Sequence, residues 1–168
     1  MEIPEVPSRT EKNRFLTVVC LTVLLVYYEL YRWLPLGRWN GEFHWPIHND
    51  QFYPDIVIGF LLLVMVVSFT RRLRAGMWIA VVLLSVWVAV HLHDWWIPYI
   101  RGTGPERDGF YSFYRNRTQV LPSFGRHRPP DGGHAVLDLF VFAAFLSALV
   151  SSVIASRTVK SATEVPAG

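Results

Sequence analysis

Two short segments carry most of the side chains that could do chemistry. One is His91-x-His93-Asp94 and the other is His134-x-x-x-Asp138. Residues three or four positions apart share a face of an α-helix, so His91 lies near Asp94 and His134 near Asp138. Imidazole and carboxylate groups without thiolates suit Zn²⁺, Mn²⁺ or non-haem iron. The pattern predicts a metal site with five ligands: His91, His93, Asp94, His134 and Asp138.

Whether these groups can hold one ion depends on the local shape of the third segment and on further ligands from the loops. On a regular helix His93 points away from His91, so its participation needs local unwinding, which Pro98 favours. Other residues could complete the ligand set from the loops. These additional candidates are His44, His48, Asp50 and His127.

Two carboxylates are candidates for the catalytic role itself. Asp94 belongs to the predicted metal site, and Glu29 lies near one end of the first apolar segment. Glu29 and Arg32 are three residues apart, and the favoured interpretation is an ion pair within one helix. The alternative is that Glu29 acts as a general base or supports the metal ligands.

A run of arginines is interleaved with aromatic residues between positions 98 and 133. A guanidinium group matches a phosphate or carboxylate bidentately, so this pattern predicts binding of an amphipathic, anionic, lipid-like molecule. The competing interpretation is a solvated surface partly neutralised by nearby Asp and Glu. Nucleic acid is not expected, because this loop is predicted to be non-cytoplasmic. The candidate substrate-binding residues are Arg101, Arg115, Arg117, Arg126 and Arg128.

The elements that must position these groups are four long apolar segments. The chain has 168 residues, of which 52% are hydrophobic and 17% are charged, against about 25% charged in soluble domains. The segments span about 15–36, 53–70, 76–98 and 134–156, and about 20 residues suffice to cross a bilayer. The sequence predicts an all-α integral membrane protein with four transmembrane helices between tails at 1–14 and 157–168.

The orientation follows from the short basic connection between the second and third segments. It contains Arg71, Arg72 and Arg74, and short loops rich in Lys and Arg remain in the cytoplasm. This pattern predicts a multi-pass protein of the bacterial inner (plasma) membrane with both termini cytoplasmic. The long connections 37–53 and 98–133 then lie outside, where all six histidines also lie. We expect the longer connection to fold over the helix ends, because its aromatic residues would otherwise face water.

Three functions fit these patterns. The leading hypothesis is a membrane-embedded metal-dependent enzyme (a hydrolase, oxygenase or isomerase) with its site at the outer face. The first alternative is a haem- or metal-binding subunit of a larger membrane complex, in which His91 and His134 would ligate the haem. The second alternative is a non-catalytic structural partner. A homodimer is also compatible with the sequence, because Gly59, Ala143 and Ala144 would allow close contact between helices.

Overall fold

A computed structural model describes residues 8–41 and 52–163, and within these ranges the chain is helical without strands. The predicted ligands His44, His48 and Asp50 lie outside the described residues. The helices are α1 (Arg9–Trp33), α2 (Phe52–Thr70), α3 (Arg74–His91), α4 (Ile97–Arg101), α5 (Asp108–Tyr114) and α6 (Gly132–Thr163).

Four helices are long and apolar enough to cross a membrane, as the sequence predicts. They are Arg9–Trp33, Phe52–Thr70, Arg74–Arg101 and Gly132–Arg157. The third combines α3 and α4, which are joined without a break by a π-helical turn over Leu92–Trp96. Pro98 does not end this helix: the Asp94 carbonyl, four residues before it, accepts a hydrogen bond from the Tyr111 hydroxyl at 2.8 Å in place of the N–H that proline lacks.

The first helix begins earlier than its apolar segment because a capping box starts it. The Ser8 hydroxyl accepts a hydrogen bond from the Glu11 amide at 3.3 Å, and the Glu11 carboxylate accepts one from the Ser8 amide at 3.1 Å. The helix ends at Trp33 because Leu34 precedes a proline and is extended, as steric clash with the proline ring requires. The basic residues ahead of the first apolar segment are therefore part of α1.

The four long helices form a bundle in which each contacts two neighbours. Helix α6 packs against α1 and α3, and α2 packs against the same two helices on the other side. The core is built from side chains such as Leu24, Leu62, Leu84 and Val141. The outward faces are apolar too: Phe60, for example, is 64% exposed. Helices that are apolar on all sides are typical of a protein surrounded by lipid.

Small and hydroxyl-bearing residues of α6 are buried in the bundle, and its hydroxyl groups bond to α1 in the half near the Arg71–Arg74 hairpin. Ala144 and Ala148 are completely buried, and small residues at such positions are common between membrane helices. The Thr17 hydroxyl bonds with that of Ser151 at 2.7 Å and donates to the Ser147 carbonyl at 2.9 Å. These contacts fix the relative height of α1 and α6.

The start of α6 is clamped between the end of α1 and the long connection. The Gly132 amide donates to the Thr118 carbonyl at 2.6 Å, and the Tyr27 hydroxyl donates to the Gly133 carbonyl at 2.9 Å. A β-carbon added to Gly133 would collide with the Tyr31 ring and would lie 2.9 Å from the Trp39 carbonyl oxygen. A side chain at this position is therefore excluded by a rigid ring and by backbone.

We expect Gly133→Ala to destabilise the protein by roughly 1–3 kcal/mol, the usual cost of overpacking a tight site. Thermal unfolding of the full chain in detergent would measure this loss. Gly109→Ala is the matched control, because nothing lies within 4 Å of a β-carbon there and alanine favours helix formation in α5. Equal melting temperatures for the two variants would show that Gly133 is not tightly packed against Tyr31 and the Trp39 backbone.

Candidate functional site

The end of α3 and the start of α6 meet at the end of the bundle opposite the Arg71–Arg74 hairpin. We call this end the loop face, because it carries both long connections. The rings of His91 and His134 lie here with their centroids 6.4 Å apart. Each imidazole is bonded to a buried carboxylate, His91 to Asp138 and His134 to Asp131. These four residues are the histidine cluster.

In the first pair, every hydrogen-bonding position of the imidazole is occupied. The Asp138 side chain is 1% exposed and bonds to His91 Nδ1. The Trp87 indole N–H donates to His91 Nε2 at 2.7 Å. An indole can only donate, so Nε2 is the acceptor and the ring proton sits on Nδ1, facing Asp138. The second Asp138 oxygen accepts from the Trp96 indole at 2.6 Å.

In the second pair, one imidazole nitrogen is left available. Asp131 caps the N-terminus of α6: one carboxylate oxygen accepts from the His134 amide at 3.0 Å and the other bonds to His134 Nδ1 at 2.8 Å. Asp131 is fully buried, whereas the His134 side chain is 17% exposed. In the described part of the chain, His134 Nε2 has no hydrogen-bond partner.

Aromatic rings surround His134. Its ring centroid lies 4.8 Å from that of Trp95, 5.3 Å from that of Tyr114 and 5.7 Å from that of Tyr31. Arg117 connects this shell to the cluster, because its guanidinium group donates to the Tyr31 hydroxyl at 2.8 Å and lies 3.7 Å from the Asp131 carboxylate. The shell limits the access of water to His134, whose side chain is 17% exposed.

The π-helical turn explains which residues face the cluster. It brings Trp95 into the interior, where it is 4% exposed, and Trp96 within reach of Asp138. His93 points outward with a 70% exposed side chain, and it bonds to Asp94 at 2.9 Å. Asp94 is also 3.4 Å from Arg107. The pair of His93 and Asp94 therefore lies outside the histidine cluster.

The predicted five-ligand metal site is not supported by this arrangement. Three of the five residues, His91, His134 and Asp138, lie in the cluster, whereas His93 and Asp94 form a separate surface pair. Over residues 8–41 and 52–163, no group of three or more His, Cys, Asp or Glu side chains is placed to hold a metal ion. The regular helix assumed for the prediction paired His91 with Asp94, but the structure pairs it with Asp138.

The charges on α1 also pair differently from the expectation. Arg32 bonds to Asp55 of α2 through Nε at 2.8 Å and through a second nitrogen, not to Glu29. The Tyr28 hydroxyl donates to the same carboxylate at 2.9 Å. Helix α2 brings a buried acceptor to Arg32, and this contact replaces the predicted intrahelical pair. The Glu29 carboxylate lies against Gly59 of α2, away from the histidine cluster.

The five candidate arginines separate into three groups. Arg117 belongs to the shell of the cluster, and its guanidinium carbon lies 4.6 Å from the centre of the Tyr114 ring. Arg115 and Arg128 line a cavity beside α5. Arg101 and Arg126 are exposed and do not line that cavity.

Helix α5 rests on the end of α3 through aromatic contacts. The Tyr111 hydroxyl donates to the Asp94 carbonyl at 2.8 Å, and Trp95 packs against Phe110 and Tyr114 with centroid distances of 5.2 and 4.9 Å. Burial raises the pKa of the Tyr111 and Tyr114 hydroxyls, so both stay protonated at neutral pH. Both residues belong to the lining of the cavity beside α5.

Comparisons with protein-family models, with curated proteins and with solved structures give no match. The function therefore has to follow from the chemistry of the site.

Asp131 is missing from the residues that the sequence predicted for the site. The spacing Asp131-Gly132-Gly133-His134 did contain a signal, since an Asp at the N-cap faces the third residue of its helix. For Trp87 and Trp96 no such signal exists, because their partners come from the tertiary structure.

We expect Asp138→Ala to destabilise the fold by roughly 2–5 kcal/mol, since it leaves buried donors of His91 and Trp96 without an acceptor. Unfolding in detergent would measure the change. Asp94→Ala is the control: its side chain is 37% exposed, and we expect a loss of about 1 kcal/mol or less. A loss for Asp138→Ala no larger than the control would show that the buried pair is not stabilising.

Proposed function

We propose that the chain is an integral membrane enzyme in which His134, oriented by Asp131, transfers a proton to or from an amphipathic anionic substrate at the loop face. One observation carries the proposal. In a cluster whose other ring nitrogens are hydrogen-bonded, His134 Nε2 has no partner in the described residues, and its side chain is partly accessible. A base has to be available in this way.

The Asp131 carboxylate supports this role of His134 in two ways. By accepting a hydrogen bond from the Nδ1–H group, it keeps the ring proton on Nδ1 and leaves the lone pair of Nε2 free to take a proton from a substrate or a water molecule. When Nε2 is protonated, the adjacent carboxylate stabilises the imidazolium. Since Asp131 is also held by the backbone of α6, the imidazole keeps its orientation while it awaits a substrate.

The other cluster histidine is unsuited to proton transfer. His91 donates to Asp138 and accepts from Trp87, so proton uptake at Nε2 would break the indole bond. We assign His91 a positioning role beside His134. Hydrolysis and isomerisation are the reaction classes that a single oriented base serves best.

The position of His134 at the loop face of an apolar bundle favours a substrate that partitions into a bilayer. The bundle presents apolar side chains such as Phe60 and Leu146 around its outside, and the half-buried Trp96 lies at the loop face, the level at which tryptophans meet lipid headgroups. An amphipathic molecule would bring its polar part to this level.

Lipid analysis would test the enzymatic proposal. Proteoliposomes made from a bacterial lipid extract would be incubated with wild-type protein, His134→Gln or Asp131→Asn, and analysed by mass spectrometry. We expect lipid species to change with the wild type, with rates lower by about 10²–10⁴ in both variants, the usual contribution of an acid–base group. Asparagine still caps a helix, so Asp131→Asn tests the carboxylate with the cap retained.

His93→Gln is the matched control, since it removes an imidazole that also bonds to a carboxylate but lies outside the cluster. We expect it to behave like the wild type. Identical lipid profiles for the wild type and His134→Gln would contradict the enzymatic proposal and favour the function of a non-catalytic structural partner.

A second candidate function, metal binding, is favoured by a specific observation. Histidines that ligate metals usually donate their other N–H to a carboxylate, and both His91 and His134 do so with rings 6.4 Å apart. We propose that Zn²⁺, Mn²⁺, iron or a haem would be held by the two Nε2 atoms, with the Trp87 indole displaced. The bound ion would polarise a substrate oxygen or activate water.

Metal analysis and an absorption spectrum of chelator-free protein would test the second candidate. We expect close to one ion per chain and no metal in a His91→Ala, His134→Ala double variant. Asp131→Asn should weaken metal affinity by about 10–100-fold, and His93→Gln should retain the ion. Protein that takes up none of these metals and shows no haem spectrum would exclude this candidate while leaving the proton-transfer proposal intact.

A further inference from the structure

A cavity of about 380 Å³ opens at the loop face beside α5. It lies between α5 and the segment 119–129, and Tyr114 belongs both to its lining and to the ring shell of His134. A volume of this size is typical of sites for small molecules. The cavity and the histidine cluster are therefore adjacent, with one aromatic ring between them.

The lining of this cavity is positively charged. Arg115 and Arg128 both belong to it, and none of the lining residues that the structure describes is acidic. Other arginines of the loop face already bind carboxylates, as Arg107 does with Asp94 and Arg117 with Asp131. Among the side chains that the structure describes, Arg115 and Arg128 have no such partner. Two uncompensated guanidinium groups at one cavity favour an anionic occupant.

The remaining polar groups suit an anion with several oxygen atoms. Ser123 and Gln119 contribute a hydroxyl and an amide to the lining, and the pKa of Tyr114 is raised by burial, so its hydroxyl stays protonated. Guanidinium groups bind phosphate oxygens in pairs, and a phosphate offers enough acceptors for two arginines together.

We propose that this cavity binds a phosphate group, carried either by a lipid headgroup or by a soluble phosphate ester, through Arg115 and Arg128. The site would hold the polar end of the substrate beside His134, so the inference names the substrate class of the proposed enzyme and rests on that function for turnover. Binding itself does not require His134 and can be measured alone. Arg101 and Arg126 have no part in it.

The binding test would use the full chain in a maltoside detergent, which contains no phosphate. Glycerol 3-phosphate and inorganic phosphate would be titrated calorimetrically, and phosphatidic acid would be added in mixed micelles and followed by native mass spectrometry. We expect Arg115→Gln and Arg128→Gln each to weaken binding on the order of ten- to a hundredfold, as expected for a lost charge-assisted bond. Each variant should unfold at the wild-type temperature.

Arg101→Gln is the matched control, because it removes the same charge from the loop face outside the cavity. We expect its affinity to equal that of the wild type. Binding of phosphatidic acid alone would identify a lipid headgroup, and binding of glycerol 3-phosphate as well would identify a general phosphate-ester site. Binding of neither, or equal weakening by Arg101→Gln, would overturn the proposal.

The same titrations with His134→Gln separate this inference from the proposed reaction. Retained binding together with lost turnover supports both proposals. Retained binding with no turnover in the wild type leaves the phosphate site standing and removes the reaction. Turnover that survives Arg115→Gln and Arg128→Gln shows that the phosphate site does not hold the substrate, and it leaves the reaction standing.

Discussion

Two buried carboxylates must be hydrogen-bonded at the ends of apolar helices, and this requirement organises the whole loop face. Asp131 is fully buried and Asp138 is 1% exposed. Even after relaxation, an ion removed from water costs several kcal/mol unless partners compensate it. Each carboxylate obtains an imidazole and at least one further donor from another part of the chain. The long connection, α1, α3 and α6 are thereby tied to one small region.

The helical architecture was predictable because composition and segment length decide it. Four apolar stretches of sufficient length leave few alternatives, and the proximity of His91 and His134 follows from placing two helix ends at the same membrane depth. The predicted ends of the helices were less accurate. A local capping box starts α1 at Arg9, and α6 continues to Thr163, because polar residues can extend a helix beyond its apolar part.

The pairing of charges could not be predicted from the sequence. The rule for helix faces shows which residues of one helix are neighbours, but it does not show what a second helix brings to them. Asp138 therefore replaces Asp94 beside His91, and Asp55 replaces Glu29 beside Arg32. In both cases the partner that is chosen is the more buried carboxylate, for which the loss of water has to be compensated most fully.

The π-helical turn at Leu92–Trp96 also bears on how this protein could have changed over time. A π-turn holds one residue more than a turn of α-helix, and every residue beyond it is rotated by about 100° relative to a regular helix. Losing a single residue there would convert the π-turn into a regular turn and would rotate both tryptophans and all of α4 about the helix axis. A one-codon deletion would therefore change which side chains of the third span face its neighbours, and Asp138 would lose its bond from Trp96.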